Sequence, residues 1–129
     1  EEVADSFFRN LYSRKISVQV LVSLLRGYAH SGNKKQNQLH KKMITYLLDE
    51  IPGLPNWPEE ELDLTAEFLG QLIRWDLVPQ GTPLKTALLG ILCALKEPAG
   101  SAMMRFGNRA LEQFKPRIEN EEGGLGALR

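Results

Sequence analysis

The chain has 129 residues, a length typical of one domain, and 43% of them are hydrophobic, which is enough for one core. Basic and acidic residues number 16 each, so the net charge is zero and bulk electrostatics favours no nucleic acid, membrane or acidic partner. The single cysteine excludes an internal disulfide framework, and no apolar run reaches the roughly 18 residues that a membrane span needs.

The cysteine and the chain start indicate the cellular setting. Cys93 lies in the apolar run 87–95, where we expect a buried, small hydrophobic side chain. The chain begins at Glu1 without an initiator Met and without a signal peptide. We therefore expect an intracellular protein and a sequence that is part of a longer chain.

The first half of the chain predicts three helices. Residues 2–13 carry apolar side chains at every fourth position in two neighbouring stripes, an unusually wide apolar arc for one helix. Ser17 is the expected N-cap of a second helix, which Gly32 and Asn33 should end. A third helix is expected over 35–50, with its own apolar stripe.

The second half of the chain predicts an irregular segment followed by two helices. Three prolines and a glycine lie within 51–58, a composition that opposes a continuous helix. Pro58 should open a fourth helix that extends to Trp75. Thr82 is the expected N-cap of a fifth helix, which Pro98 should stop.

A sixth helix is expected over 99–118, and no segment predicts a strand. The loops are short, so successive helices should pack antiparallel. This pattern predicts an all-α fold, a HEAT-like α-solenoid array of about six antiparallel helices over 1–118. Residues 119–129 are acidic and then Gly-rich, which predicts a flexible tail.

No constellation of catalytic residues is recognisable, since the common phosphate-binding, zinc-protease and nucleophile motifs are missing. His30 and His40 fall on different predicted helices, so no metal site is expected. The acidic run 59–61 is expected to face water at a helix start, where the helix dipole favours anions. These features predict a protein that is not an enzyme and needs no cofactor or metal.

Lys34, Lys35, His40, Lys41 and Lys42 form a local basic cluster. One interpretation is contact with RNA phosphates, and the other is the solvated face of the third helix. No aromatic residue is interleaved to stack on bases, which favours the second interpretation. We therefore expect no direct nucleic-acid binding.

Three aromatic residues, Phe8, Tyr12 and Trp57, suggest a binding surface. The first helix has two apolar stripes, whereas an end helix of a solenoid buries only one against its neighbour. A partner peptide, a following helix or upstream chain could each cover the second stripe, and residue spacing leaves these alternatives open.

Five collinear blocks resemble one middle domain of the scaffold (Not-one) subunit of the Ccr–Not mRNA deadenylase complex. The resemblance runs in one register from Val3 to Ile118. The blocks are 7–12, 55–62, 64–70, 95–103 and 106–115.

The resemblance implies a HEAT-like fold and a groove that takes a short amphipathic helix from an RNA-binding regulator such as tristetraprolin. The regulator would bring the deadenylases to its mRNA, for decay or translational repression. By position, Phe8 and Tyr12 would accept apolar side chains of the peptide. Glu50 would pair with a basic side chain, and Trp57 would close one side.

This sequence departs from the family pattern in the loop before Trp57. Residues 51–54 read Ile-Pro-Gly-Leu where animal members carry aromatic residues, and Trp57 stands where tyrosine is common. The identity of the peptide is therefore left open. A structural spacer between neighbouring scaffold domains, and RNA contact through 34–42, remain as alternative functions.

The resemblance also implies partners and a location beyond this domain. Other deadenylase-complex subunits would bind through neighbouring domains. The location would be the cytoplasm, with processing bodies and the nucleus as further sites. We expect a monomer, because a neutral charge and a single cysteine offer no obvious pairing surface.

Overall fold

The structure is a computed structural model that describes the backbone of residues 2–120 and the side chains of residues 3–118. Within that range it contains six α-helices, one 3₁₀ helix and no strand, which confirms the predicted all-α fold class. The elements are α1 Glu2–Tyr12, α2 Val18–Ala29, α3 Lys34–Asp49, the 3₁₀ helix Ile51–Asn56, α4 Glu59–Arg74, α5 Thr82–Leu95 and α6 Ala102–Asn120. Most of the predicted tail, residues 121–129, lies outside the described residues.

Side-chain caps set the start of two helices. Ser17 caps α2 as predicted, and its Oγ accepts from the Val20 amide at 3.2 Å. Asn33 caps α3 by accepting from the Lys35 amide at 2.9 Å. The prediction that Asn33 ends α2 is therefore wrong: α2 already ends at Ala29, and Asn33 begins the next helix.

Two predictions about turns are also wrong. The segment after α3 is a 3₁₀ helix rather than irregular chain, because Pro52 stands in its first turn, where no amide donor is needed. Buried Leu54 anchors it, and its carbonyl accepts from the Trp57 amide at 3.0 Å. Thr82 does not cap α5 but is its first residue, and the N-cap is Gly81 with φ 95°.

The core is centred on α4, which packs closely on α6. A Cβ added to Gly70 would lie 2.6 Å from the Gln113 Cβ, so only a glycine admits this approach. Phe106, Ala110 and Phe114 of α6 are buried against α4 and α5, as predicted. The close α4–α6 pair thus forms the centre of the hydrophobic core.

The outer side of α5 differs from expectation. Cys93 is exposed, as are Leu89 and Leu92, so the prediction of a buried thiol is wrong. The run 87–95 is apolar throughout and therefore has no periodicity that selects a buried face.

None of the helices in 2–120 has the length and hydropathy that a membrane crossing requires.

Candidate functional site

A groove runs between α1 and α3, which lie side by side and point in the same direction. Ala4 of α1 and Gln38 of α3 line one cavity, and the Phe8 and Tyr46 rings further along are 5.1 Å apart. Near the ends of both helices, Tyr12 and Glu50 line one cavity of about 390 Å³.

This cavity brings together all four residues that the sequence analysis predicted for a binding site. Phe8 and Tyr12 come from α1, Glu50 follows α3, and Trp57 follows the 3₁₀ helix. The 3₁₀ helix is what carries the chain from the end of α3 back to Tyr12, so that Trp57 reaches the groove.

The groove is floored by an aromatic cluster. The ring centroids of Phe8 and Tyr46 are 5.1 Å apart and stacked, and Tyr12 lies 6.3 Å from Phe8. Trp57 meets Tyr12 edge to face at 5.9 Å. Such pairs hold the rings in defined orientations, and aromatic rings offer a large apolar surface with few rotors to freeze on binding.

Phe8 belongs to the core more than to the groove surface. It is only 5% exposed, and its ring meets Phe68 of α4 edge to face at 6.0 Å. Phe8 therefore lines the groove from within the core. α1 packs against α2, α3 and α4, so following helices cover part of its second apolar stripe, which is one of the alternatives that residue spacing left open.

The Tyr12 hydroxyl is fixed by a short hydrogen-bond chain. Thr65 donates its one hydroxyl proton to the Glu61 carbonyl at 2.7 Å, so the Tyr12 hydroxyl donates to Thr65 Oγ1 at 2.9 Å. Burial, aided by the charges of Glu61 and Glu50 and opposed by the Thr65 hydrogen bond, raises the pKa of Tyr12 to about 12. Tyr12 is therefore neutral and offers a ligand its ring rather than its hydroxyl.

Carboxylates dominate the rim of this cavity. Asp5, Glu50 and Glu61 line it together with one basic residue, Arg9. Partial burial and the charges of Asp5 and Glu50 raise the pKa of Tyr46, which shows that both carboxylates act on the same ring. Among the described side chains, Glu50 and Glu61 form no ion pair, so both are available to a basic ligand group.

Tyr46 is the groove residue that sequence reasoning missed. Its side chain is 44% exposed and lies over Phe8. It sits outside the buried stripe that includes Met43 and Leu47. An aromatic residue on the otherwise polar side of a helix was the signal that could have revealed it.

A second cavity of about 770 Å³ continues the groove towards the start of α3. Asp5 and Tyr46 line both cavities and so mark where they meet. Besides these two residues, the second cavity is lined by Ala4 of α1 and by five residues of α3: Gln38, Lys41, Lys42, Thr45 and Asp49. The groove therefore follows most of the length of α3.

The two histidines occupy different environments. His40 is buried, and its Nε2 lies 2.7 Å from the Leu77 carbonyl oxygen. Burial lowers the pKa of His40, partly offset by that hydrogen bond, and the neighbouring His30 and Lys41 lower it further. His40 is thus not part of the predicted basic cluster at the surface, whereas the four lysines of that cluster are exposed.

No part of the described chain groups three or more His, Cys, Asp or Glu side chains in a way that could hold a metal ion. The predicted absence of a metal site and of catalysis remains a prediction.

Comparison with known families matches residues 1–120 to the family described as CCR4-NOT transcription complex subunit 1 TTP binding domain. The chain is 36% identical over 118 residues to General negative regulator of transcription subunit 1 of Schizosaccharomyces pombe. It is 26% identical over 120 residues to CCR4-NOT transcription complex subunit let-711 of Caenorhabditis elegans.

These alignments cover 92% of this chain but only 6% and 4% of the two relatives, so the chain spans a small part of each. Among solved structures, the N-terminal domain of the yeast Not1 shares the fold, with a TM-score of 0.85 at 22% identity. The match covers 91% of this chain and 22% of that one. The chain therefore belongs to the family of TTP binding domains of CCR4-NOT transcription complex subunit 1.

Proposed function

We propose that this domain is a non-catalytic docking module of an mRNA deadenylase scaffold. Its groove would bind a short amphipathic helix from an RNA-binding regulator of the tristetraprolin type. Binding would bring the deadenylase complex to the regulator's mRNA, and so promote decay or translational repression. The family description, with its TTP binding domain, supports the class of partner.

One observation carries the proposal: a half-exposed Tyr46 stacks on buried Phe8 inside a groove that Trp57 borders. Phe8 is packed in the core, so the exposed Tyr46 ring stacks on a surface that is already in place before a ligand binds. A preorganised aromatic surface of this kind is typical of the centre of a protein interface, where aromatic anchors contribute most of the binding energy.

A helix suits the groove better than an extended strand. The groove lies between two helices, and the strand-free described chain offers no sheet edge to which a partner strand could add. We expect apolar peptide side chains at i, i+3 or i+4, and i+7 to contact Tyr46, Tyr12 and Trp57. A basic peptide side chain is expected to pair with Glu50 or Glu61 at the rim.

The remaining functions belong to the longer protein. Because the chain spans 6% or less of the relatives above, other deadenylase subunits are proposed to bind neighbouring domains. We place the protein in the cytoplasm, with processing bodies and the nucleus as further sites. The isolated domain is expected to show no nuclease or hydrolase turnover, and poly(A) shortening by the pure domain would contradict this.

RNA contact is the second candidate function, and one observation favours it. Exposed Tyr46 lines the same cavity as Lys41 and Lys42, which places a stacking ring beside two cations. Binding of a poly(A) oligonucleotide that weakens steeply with salt and is lost in Lys41→Glu/Lys42→Glu would support it. A spacer role would leave both peptide and RNA unbound.

The test is a titration of a fluorescent peptide of about 14 residues, which spans roughly 21 Å as a helix, with apolar residues at i, i+4 and i+7. Tyr46→Ala and Trp57→Ala should each weaken binding about ten- to a hundredfold. The control is Trp75→Ala, because Trp75 is also exposed but lines none of the groove. Equal affinities in all variants would contradict the proposal.

A further inference from the structure

We propose that the groove selects the direction of its helical partner. The partner helix runs parallel to α1 and α3, with acidic side chains in its first turn against Lys41 and Lys42. Basic side chains in its last turn lie against Glu50 and Glu61. This inference rests on the proposed function, since it concerns the same groove.

The two cavities between α1 and α3 form one continuous path. They share Asp5 and Tyr46, and the residues of α3 and its C-cap that line them extend from Gln38 to Glu50. At about 1.5 Å per residue, the twelve residues from 38 to 50 span roughly 18 Å. A partner helix of about twelve residues, or three turns, would fill that length.

Charge changes sign along this path. Along α3, Lys41 and Lys42 are exposed one turn before Tyr46. Asp49, which lines the second cavity together with these lysines, and Glu50 follow one turn after Tyr46. The cavity at the Glu50 end is lined by three carboxylates, those of Asp5, Glu50 and Glu61, and by one guanidinium, that of Arg9. Asp5 lies at the junction of the two cavities, so it does not reverse the difference between the ends.

The charges in the first and last turns of α3 oppose the dipole of that helix. α3 has no acidic residue in its first turn and no basic residue in its last turn, whereas Lys34 and Lys35 open it and Asp49 closes it. Neighbouring α4 shows the stabilising arrangement, with Glu59, Glu60 and Glu61 in its first turn and a basic residue in its last. A local arrangement that lowers helix stability is typical of a functional surface.

The charges of the groove are also unused within the domain. Among the described side chains, Lys41, Lys42 and Glu50 form no ion pair. Between α4 and α6, by contrast, Arg105 pairs with Asp63 at 2.7 Å. The groove therefore presents unpaired charges of opposite sign at its two ends.

A partner helix that matches these charges is itself well formed. Acidic residues in its first turn and basic residues in its last turn stabilise its own dipole. In the parallel direction each of these groups meets an opposite charge in the groove. In the antiparallel direction they meet like charges, which makes that pose less favourable.

The test uses two synthetic peptides of about 14 residues with identical composition and identical apolar positions. The forward peptide has glutamates in its first turn and lysines in its last, and the reversed peptide exchanges them. A nitroxide spin label on the first residue of the forward peptide reports its direction, because it should broaden the amide signals around Lys42 rather than those around Glu50. We expect the forward peptide to bind about three- to tenfold more tightly at low salt, with a smaller ratio at high salt.

The forward peptide is also more helical when free, so the affinity ratio must be compared between variants. Lys41→Glu/Lys42→Glu should bring the ratio to one or below. Lys85→Glu/Lys115→Glu makes the same charge change at exposed positions on α5 and α6 and should keep the wild-type ratio.

Each outcome decides between the claims. A forward peptide whose spin label broadens the amides around Glu50, or an affinity ratio that the Lys41→Glu/Lys42→Glu variant keeps, overturns the directional inference and leaves the proposed function standing. A failure of both peptides to bind contradicts the proposed function as well. Poly(A) oligonucleotide bound through these lysines in preference to either peptide would overturn the inference in favour of RNA contact.

Discussion

Tyr46 and Phe8 stack on each other at 5.1 Å, yet their side chains are 44% and 5% exposed. The exposed ring can bury its free face against a ligand, whereas the buried ring is already in contact with α4 through Phe68. Substitutions at the two positions should therefore separate binding from folding.

Tyr46→Ala should reduce the free energy of unfolding by less than about 1 kcal/mol, because little buried surface is lost. Phe8→Ala should reduce it by about 3–5 kcal/mol, since it leaves a cavity in the core. Urea denaturation of both variants measures the difference. A Tyr46→Ala variant that is as unstable as Phe8→Ala would mean that Tyr46 is a core residue.

At this scale the sequence predicted part of the candidate site. The wide apolar arc of the first helix pointed to Phe8 and Tyr12, Trp57 stood out as an aromatic residue in the proline-rich segment, and the family resemblance added Glu50. The sequence alone could not show that Phe8 is a core residue and that Tyr46 is the exposed groove residue. That difference depends on where α3 and α4 pack against α1. Such contacts are distant in sequence and leave no periodic signal.

The closest helix pair depends on a glycine in α4. A methyl group at Gly70 would overlap the Ala110 carbonyl oxygen and the Gln113 side chain of α6. Gly70→Ala should therefore destabilise the fold by about 1–3 kcal/mol, although alanine favours helices. Gly27→Ala is the control, because that helical position has open space and should gain about 0.5–1 kcal/mol. Thermal unfolding that ranks the two variants the other way would contradict this packing.

A histidine links α3 to the turn after α4. His40 is buried and bound to the Leu77 carbonyl, and burial lowers its pKa from 6.5. The native state therefore takes up a proton less readily than the unfolded chain. The stability present above pH 6.5 should decline as pH falls through the lowered pKa.

Chemical denaturation between pH 7.5 and about 5.5 measures this decline. His40→Gln should be less stable at neutral pH but should show a flatter pH dependence. His30→Gln, at an exposed position, should retain the wild-type slope. An unchanged slope in His40→Gln would assign the acid sensitivity to another group.

Helices were predictable where the chain gives periodic or capping signals, as at Ser17 for α2. Predictions failed where two local sequence signals favoured different structures. The N-cap of α5 is Gly81 rather than Thr82, and the proline-containing residues 51–56 form a 3₁₀ helix rather than irregular chain. Because the run 87–95 is uniformly apolar, its sequence does not indicate which side of α5 is exposed.

The whole molecule is a helical array with a central α4–α6 pair and a groove on the α1–α3 side. This arrangement suits a docking module, because the core holds the groove's aromatic floor in place before a partner arrives. Exposed Leu89 and Leu92 form the apolar surface of α5, away from that groove.

We expect the domain to be a monomer of 14.5 kDa in solution. Two exposed leucines give too small an apolar area for a stable pair, which normally buries at least about 1,000 Å². Sedimentation velocity at several concentrations measures this. A dimer that persists on dilution, and that Leu89→Glu dissociates, would identify α5 as an interface instead.

The chain's two tryptophans allow a direct test of where a peptide binds, because Trp57 borders the groove and Trp75 lies outside it. The measurement is a ¹H–¹⁵N spectrum of the labelled domain, which contains one indole N–H signal from each, during titration with the amphipathic peptide. The account predicts that the Trp57 indole and the backbone amides around Tyr46 shift together, with the Trp75 indole unmoved. Shifts confined to Trp75 or to α5 and α6 would contradict the groove as the docking site.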